Sequence, residues 1–190
     1  MSRRMRQALA GTLAALCMAV APAAAQAPQR DGFWLGVGGG AGSAIRCEEC
    51  AGEARMRSGV VTIEAGWAPS ERLLYGVDVT YWGKSFARAG TEQTLELYNF
   101  SFTALLFPSE RAGFFLKGGV GFAYADTEFR DDAGTSTLSD SGFGAIAGTG
   151  YDIPLGRRIA VTPAVSYMFG VTADSIKHDV FAATIALTLR

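Results

Sequence analysis

The sequence predicts an all-β protein: an eight-stranded antiparallel up-and-down transmembrane β-barrel, preceded by a cleaved signal peptide. Three observations carry this expectation. Apolar residues recur with a period of two in eight segments, the connections between them alternate short and long, and the long apolar run of the chain lies at its N-terminus. A period of two is the signature of a strand with one greasy face.

The N-terminal segment opens with Met1-Ser2-Arg3-Arg4-Met5-Arg6, continues apolar from Ala8 to Val20, and ends Ala21-Pro22-Ala23-Ala24-Ala25. These are the three parts of a secretory signal. Cleavage is expected after Ala25, because Ala23 and Ala25 are small and a cut after Ala27 would leave Pro28 just past the scissile bond. The run falls short of the roughly 20 residues a helix needs to cross a bilayer. Residues 1–25 are therefore an address and residues 26–190 the barrel domain. Cys17 follows Leu16, where lipidation wants a small residue, so a lipid anchor is not expected. Cleavage removes Arg3, Arg4 and Arg6 but no acid, making the mature chain more acidic than the net −1 of the whole sequence. An acidic chain argues against nucleic acid as a partner.

Length favours one domain. Beyond residue 25 no apolar run approaches helical spanning length, so any membrane span must be made of strands. In order, the greasy faces are Phe33, Leu35 and Val37; then Val61, Ile63, Ala65 and Trp67; then Leu73, Tyr75, Val77, Val79 and Tyr81; then Tyr98, Phe100, Phe102, Ala104 and Leu106. Phe114, Leu116, Val120, Phe122 and Tyr124 form the fifth, and Phe143, Ala145, Ala147, Thr149 and Tyr151 the sixth. The seventh is Ile159, Val161, Val165, Tyr167 and Phe169, and the eighth Phe181, Ala183, Ile185, Leu187 and Leu189.

Alternation alone also fits a soluble sandwich. Three features favour the membrane. The opposite faces are mostly Gly, Ala, Ser and Thr with isolated charges, which suits the crowded lumen of a narrow barrel. Aromatics stand at the ends of the greasy faces, where interfacial girdles belong. Short turns near Pro69–Arg72, Pro108–Gly113 and Pro154–Arg157 alternate with polar segments near 43–58, 84–93, 126–141 and 170–178, expected as long outer loops. The words Pro69-Ser70-Glu71-Arg72 and Pro108-Ser109-Glu110-Arg111 even repeat, with proline ending each strand because it cannot donate to the ladder.

The stretches Gly113-Phe114-Phe115-Leu116-Lys117-Gly118-Gly119-Val120-Gly121-Phe122 and Ser141-Gly142-Phe143-Gly144 through Gly150-Tyr151-Asp152-Ile153-Pro154 resemble the fifth and sixth strands of the small outer-membrane β-barrel domain proteins of OmpA and OmpX type. The resemblance covers nearly the whole mature chain and implies a place in the bacterial outer membrane. It also implies contact with outer-membrane lipids and lipopolysaccharide, and handling by periplasmic chaperones and the barrel-assembly machinery. One departure stands out: such chains often finish on an aromatic residue, and this one finishes on Arg190.

Candidate chemistry is sparse. Glu64, Asp78 and Lys117 fall on inward faces, where a charge needs a partner or water. They are read as an internal charge network, either a plug that fixes register or a gate or proton path, and the narrow lumen favours the plug. Cys47 and Cys50, the cysteines left after cleavage, are expected to form a small disulfide in an oxidising envelope. Glu48, Glu49 and Glu53 lie near enough to raise a metal site, but a structural zinc wants four well-spaced ligands, and no metal or other cofactor is expected. A redox role would want a helix N-terminus to activate a thiol. Ser175, His178 and Asp179 raise a hydroxyl-activating set, but Ser175 and His178 have opposite strand parity, so no catalytic residues are assigned.

The expected function is non-enzymatic: a structural or adhesive surface role, with any ligand met by the outer loops. The alternatives are a narrow channel for small or apolar solutes and, below it, a lipid-modifying enzyme using His178.

Overall fold

The computed structural model describes residues 30–47, 55–88, 91–131, 134–172 and 177–190, and among them every regular element is a strand. The long strands are β1 (Gly32–Cys47), β2 (Met56–Ser70), β3 (Leu73–Arg88), β4 (Thr91–Leu106), β5 (Phe114–Asp131) and β6 (Gly134–Tyr151). A two-residue strand, β7 (Ile153–Pro154), carries β6 onward past Asp152, and β8 (Ile159–Thr172) and β9 (Lys177–Leu189) complete the wall. Neighbours in sequence other than β6 and β7 pair antiparallel, β1 pairs with β9, and β6 pairs with β8, so the sheet closes on itself. Closure removes the unpaired edges that would be intolerable in hydrocarbon.

The greasy faces point outward. Phe122 is 74% exposed, Ile185 64% and Phe102 60%, exposures a water-soluble sandwich would not leave on all its walls. On β5 the outward apolar stretch runs from Phe114 to Tyr124, the 9–11 residues or so that a tilted spanning strand needs. Tyr81, Tyr98 and Tyr124 lie side by side in register at its outer end, and Phe33 and Trp67 pair at its periplasmic end. These rows are the two girdles.

Inside, glycine lets the strands crowd. A methyl on Gly66 would meet the Tyr75 carbonyl oxygen at 2.0 Å, and one on the facing Gly76 would meet the Ala65 oxygen at 2.1 Å. The remaining space holds two apolar layers. Val60, Trp82, Leu97, Ile146, Met168 and Val180 fill the outer half, and Trp34, Leu74, Leu105, Phe107 and Phe115 the periplasmic half. A polar belt lies between them.

The outer connections differ from expectation. Segments 84–93 and 126–141, read as loops, are paired strand almost to their tips, with Arg88 opposite Thr91 and Asp131 opposite Gly134. The reading failed because the greasy alternation ends where the lipid ends, while backbone pairing does not depend on it. The first and fourth connections are likewise shortened by strand at 43–47, 56–58, 170–172 and 177–178.

Candidate functional site

Three places carry charge: the polar belt, the periplasmic mouth and the outer rim. In the belt, Glu64 of β2 and Asp78 of β3 stand directly opposite each other. Two facing carboxylates repel, and Lys117 reaches across from β5 to both: its Nζ pairs with Glu64 Oε1 and lies 2.5 Å from Asp78 Oδ2. Thr80 donates to Asp78 Oδ1 at 2.9 Å, and Thr62 approaches Asp78 Oδ2 at 3.4 Å. Asp78 is fully buried. Beside the set lies a cavity of about 30 Å³ lined by Glu64, Lys117 and the hydroxyls of Thr62, Thr80, Thr162 and Thr188. Its volume suits a water or two rather than a solute path. Trp82 and Met168 close the lumen on one side of this belt, and Trp34 and Phe115 on the other.

The periplasmic mouth holds a second cluster that sequence reading missed. Gly32, at φ +78°, lets the chain swing from the lumen into the wall, and so places Arg30 fully buried inside the mouth. The Arg30 guanidinium sits 3.8 Å from the Phe107 ring centroid and donates to the backbone oxygens of Glu71, Glu110 and Ala112. Two of those carbonyls belong to the repeated Pro-Ser-Glu-Arg turns. Asp152, at the break between β6 and β7, lies 3.8 Å from Arg30 Nε and 2.5 Å from Arg190 Nη1. Thr162 donates to its other oxygen, and Arg190 also packs 5.3 Å from the Phe107 centroid. Burial first, then the Arg190 charge, lower the Arg30 pKa from its ordinary value, while Asp152 acts the other way. The signal available in the sequence was parity: Asp152 continues the inward row of Gly148 and Gly150, and Arg190 that of Thr188.

At the outer end, His178 is buried and inward, against Gly170, whereas Asp179 faces outward and lies 2.5 Å from Arg55 Nη2. The two therefore diverge, and Ser175 lies outside the described residues. Cys47 ends β1 opposite Lys177. Cys50 also lies outside the described residues, and with it the expected disulfide. Above the outer girdle, Glu96 accepts hydrogen bonds from Tyr81 and Tyr98, each at 3.0 Å.

A closed barrel with an apolar outside, a filled lumen and both described chain ends at one mouth has a match among known families. Residues 11–187 fit the profile of the outer membrane protein beta-barrel domain. The chain belongs to that family. This β-barrel domain is accordingly a bacterial outer-membrane protein. Solved structures repeat the architecture. Ail, the attachment invasion locus protein of Yersinia pestis, superposes with a TM-score of 0.58 at 11% identity, over 85% of this chain and 100% of Ail. Neisserial surface protein A gives 0.55 at 14% over 82% and 96%, and OprG of Pseudomonas aeruginosa 0.50 at 13% over 86% and 98%. Such identities establish the shared fold. No characterised protein matches the chain by sequence alone.

Proposed function

We propose that the protein is an outer-membrane anchor for an extracellular β-sheet that binds the surface of another protein. One observation carries the reading: β3, β4, β5 and β6 stay paired well beyond the apolar band, while the lumen beneath them is filled. Strands of 18 residues such as β5 and β6 extend about 60 Å, or about 45 Å along the barrel axis after tilt, against an apolar band about 25 Å tall. The surplus stands outside as a four-stranded sheet.

Its charge suggests the partner. Glu92, Glu96, Asp126, Glu128, Asp131 and Asp140 outnumber Lys84, Arg88 and Arg130 along the projecting hairpins. An acidic surface steers basic partners and repels polyanions. Ail has been crystallised with the heparin analogue sucrose octasulfate; a sulfated sugar is a poor fit to this sheet, and a basic protein surface a good one. The Lys117 set acts in this reading as a plug that fixes strand register. Residues 1–25 are a signal peptide cut after Ala25, and Cys47 and Cys50 tie the tip of the first loop.

The test trims both hairpins at register-matched pairs, Gly83 with Glu96 and Asp126 with Ser139, leaving the spanning wall intact. Cells producing each form are compared for adherence to two immobilised basic proteins, lysozyme and cytochrome c, and to heparin. Adherence to the proteins that disappears on trimming, with the folded barrel still present by its gel-mobility shift on heating, supports the proposal. Equal adherence of the trimmed form, or none above a strain lacking the protein, would sink it.

A further inference from the structure

Two sides of the barrel present different faces to the lipid. β9 and β1 lie across the wall from β4 and β5, separated on one side by β2 and β3 and on the other by β6 and β8. On the β9–β1 side the outward residues are small. Ala41 stands between Ala183 of β9 and Gly59 of β2, and beside it the face opens into an apolar groove of about 640 Å³ bounded by Gly39, Ala183, Ile185, Val165, Pro163 and Tyr151. Pro163 has no N–H to give, and the β6–β8 ladder ends next to it at Gly150 and Ala164. On the β4–β5 side Phe102 and Phe122 project, the most exposed aromatic side chains among the described residues. A cavity of about 150 Å³ is enough to bind benzene, so the groove has room for both rings.

Charge divides between the same two sides. Toward the outer end of the small-residue face stand Arg57 of β2 and Lys177 of β9, both exposed and neither in an ion pair with a described residue. Toward the outer end of the aromatic ridge, Glu96 of β4 and Asp126 of β5 stand directly opposite each other. Facing carboxylates repel, and in the lumen Lys117 relieves the same arrangement at Glu64 and Asp78. Here Glu96 accepts from two tyrosines and Asp126 from Ser139 at 3.2 Å, and neither carboxylate has a cation among the described residues. The spacings also match. Six residues of β9 separate Ala183 from Lys177, and six of β4 separate Phe102 from Glu96, each about 20 Å of strand.

We propose that the protein associates side by side with copies of itself in the plane of the membrane, the β4–β5 ridge of one copy seated on the β9–β1 face of the next. Both copies stand the same way up, so a ridge in the groove brings Glu96 and Asp126 level with Arg57 and Lys177. Strand order reverses across the contact. β5 therefore faces β9 and β4 faces β2, which takes Asp126 to Lys177 and Glu96 to Arg57. Apolar walls in lipid gain nothing from burial alone, and close approach over small residues together with polar contacts is what draws membrane segments together. The two faces differ and lie across the barrel from each other, so the contact is heterologous and repeats as a row instead of closing on a pair. The hairpin tips rise above it uncovered.

The test treats outer membranes of producing cells with a carbodiimide, which joins an amine to a carboxylate in direct contact, and identifies the joined peptides by mass spectrometry. Lys177 lies across the barrel from Glu96 and Asp126, so a peptide linking it to either comes from two copies. A gel ladder of dimers and larger species carrying that peptide is expected. Phe122→Ala and Ala183→Phe leave the coupled groups in place, and each lowers the yield of the peptide about fivefold, the modest scale on which packing couples membrane segments. Phe143→Ala, on the wall between the two faces, leaves the yield unchanged. Each variant is first checked for the heat-dependent mobility shift of a folded barrel. Absence of the joined peptide in the parent protein overturns the proposal, and so does a yield that neither Phe122→Ala nor Ala183→Phe lowers.

Discussion

Asp152 Oδ2 and Arg190 Nη1 lie 2.5 Å apart at the periplasmic mouth, with both side chains buried. Arg190, just past β9, is thus held in the mouth rather than exposed. Arg30 approaches the same carboxylate from just ahead of β1, and Phe107 lies beneath both guanidinium groups. A carboxylate shared by two buried cations cannot be removed without leaving them to repel each other. Asp152→Ala should therefore lower stability by about 3–5 kcal/mol, read as a fall in the temperature at which the folded band converts on a gel. An unchanged conversion temperature would show that the mouth is held by backbone contacts instead.

The belt predicts its own asymmetry. Lys117→Met leaves Glu64 facing Asp78 without a cation and should cost about 3–5 kcal/mol in urea unfolding from lipid vesicles. Adding Glu64→Gln and Asp78→Asn should recover much of that loss, because hydroxyls of Thr62 and Thr80 remain to bond the amides. If the triple variant is no better than Lys117→Met, charge repulsion is not the cause.

Conductance should be absent. Two apolar layers close the lumen on either side of a cavity of about 30 Å³. Planar bilayers holding the refolded mature protein should stay silent at physiological salt, and regular single-channel steps would place a continuous water path where none is drawn.

Close strand approach at Gly66 gives a steric prediction. A Cβ there would lie 2.0 Å from the Tyr75 oxygen, so Gly66→Ala must push β2 and β3 apart at a cost of about 1–3 kcal/mol. The same change at Gly118, where nothing lies within 4 Å, should be nearly silent. Unfolding midpoints of the two variants, measured side by side, check the contrast.

The thiols should be closed. Cys47 and Cys50 in protein taken from the envelope should resist alkylation until reductant is added, and the double serine variant should unfold like the parent, since so small a ring removes little unfolded-chain entropy. Free thiols in the untreated protein would contradict the pairing.

What the sequence determined by itself is the wall. Side-chain direction alternates along any strand, so Phe114, Leu116, Val120 and Phe122 declare one face and Lys117, Gly119 and Gly121 the other without reference to the rest of the chain. Strand number, the short periplasmic turns and the inward aim of Glu64, Asp78 and Lys117 follow from that local rule. Strand length did not, because polar residues pair as readily as apolar ones beyond the membrane, and only the β3–β4 and β5–β6 ladders reveal the projecting sheet. Tertiary closure alone decided what meets across the lumen and at the mouth. Bringing β1 beside β9 and β6 beside β8 sets Arg30, Phe107, Asp152 and Arg190 together from four separate parts of the chain. No local pattern encodes such meetings, since they depend on the register and circumference of the whole barrel.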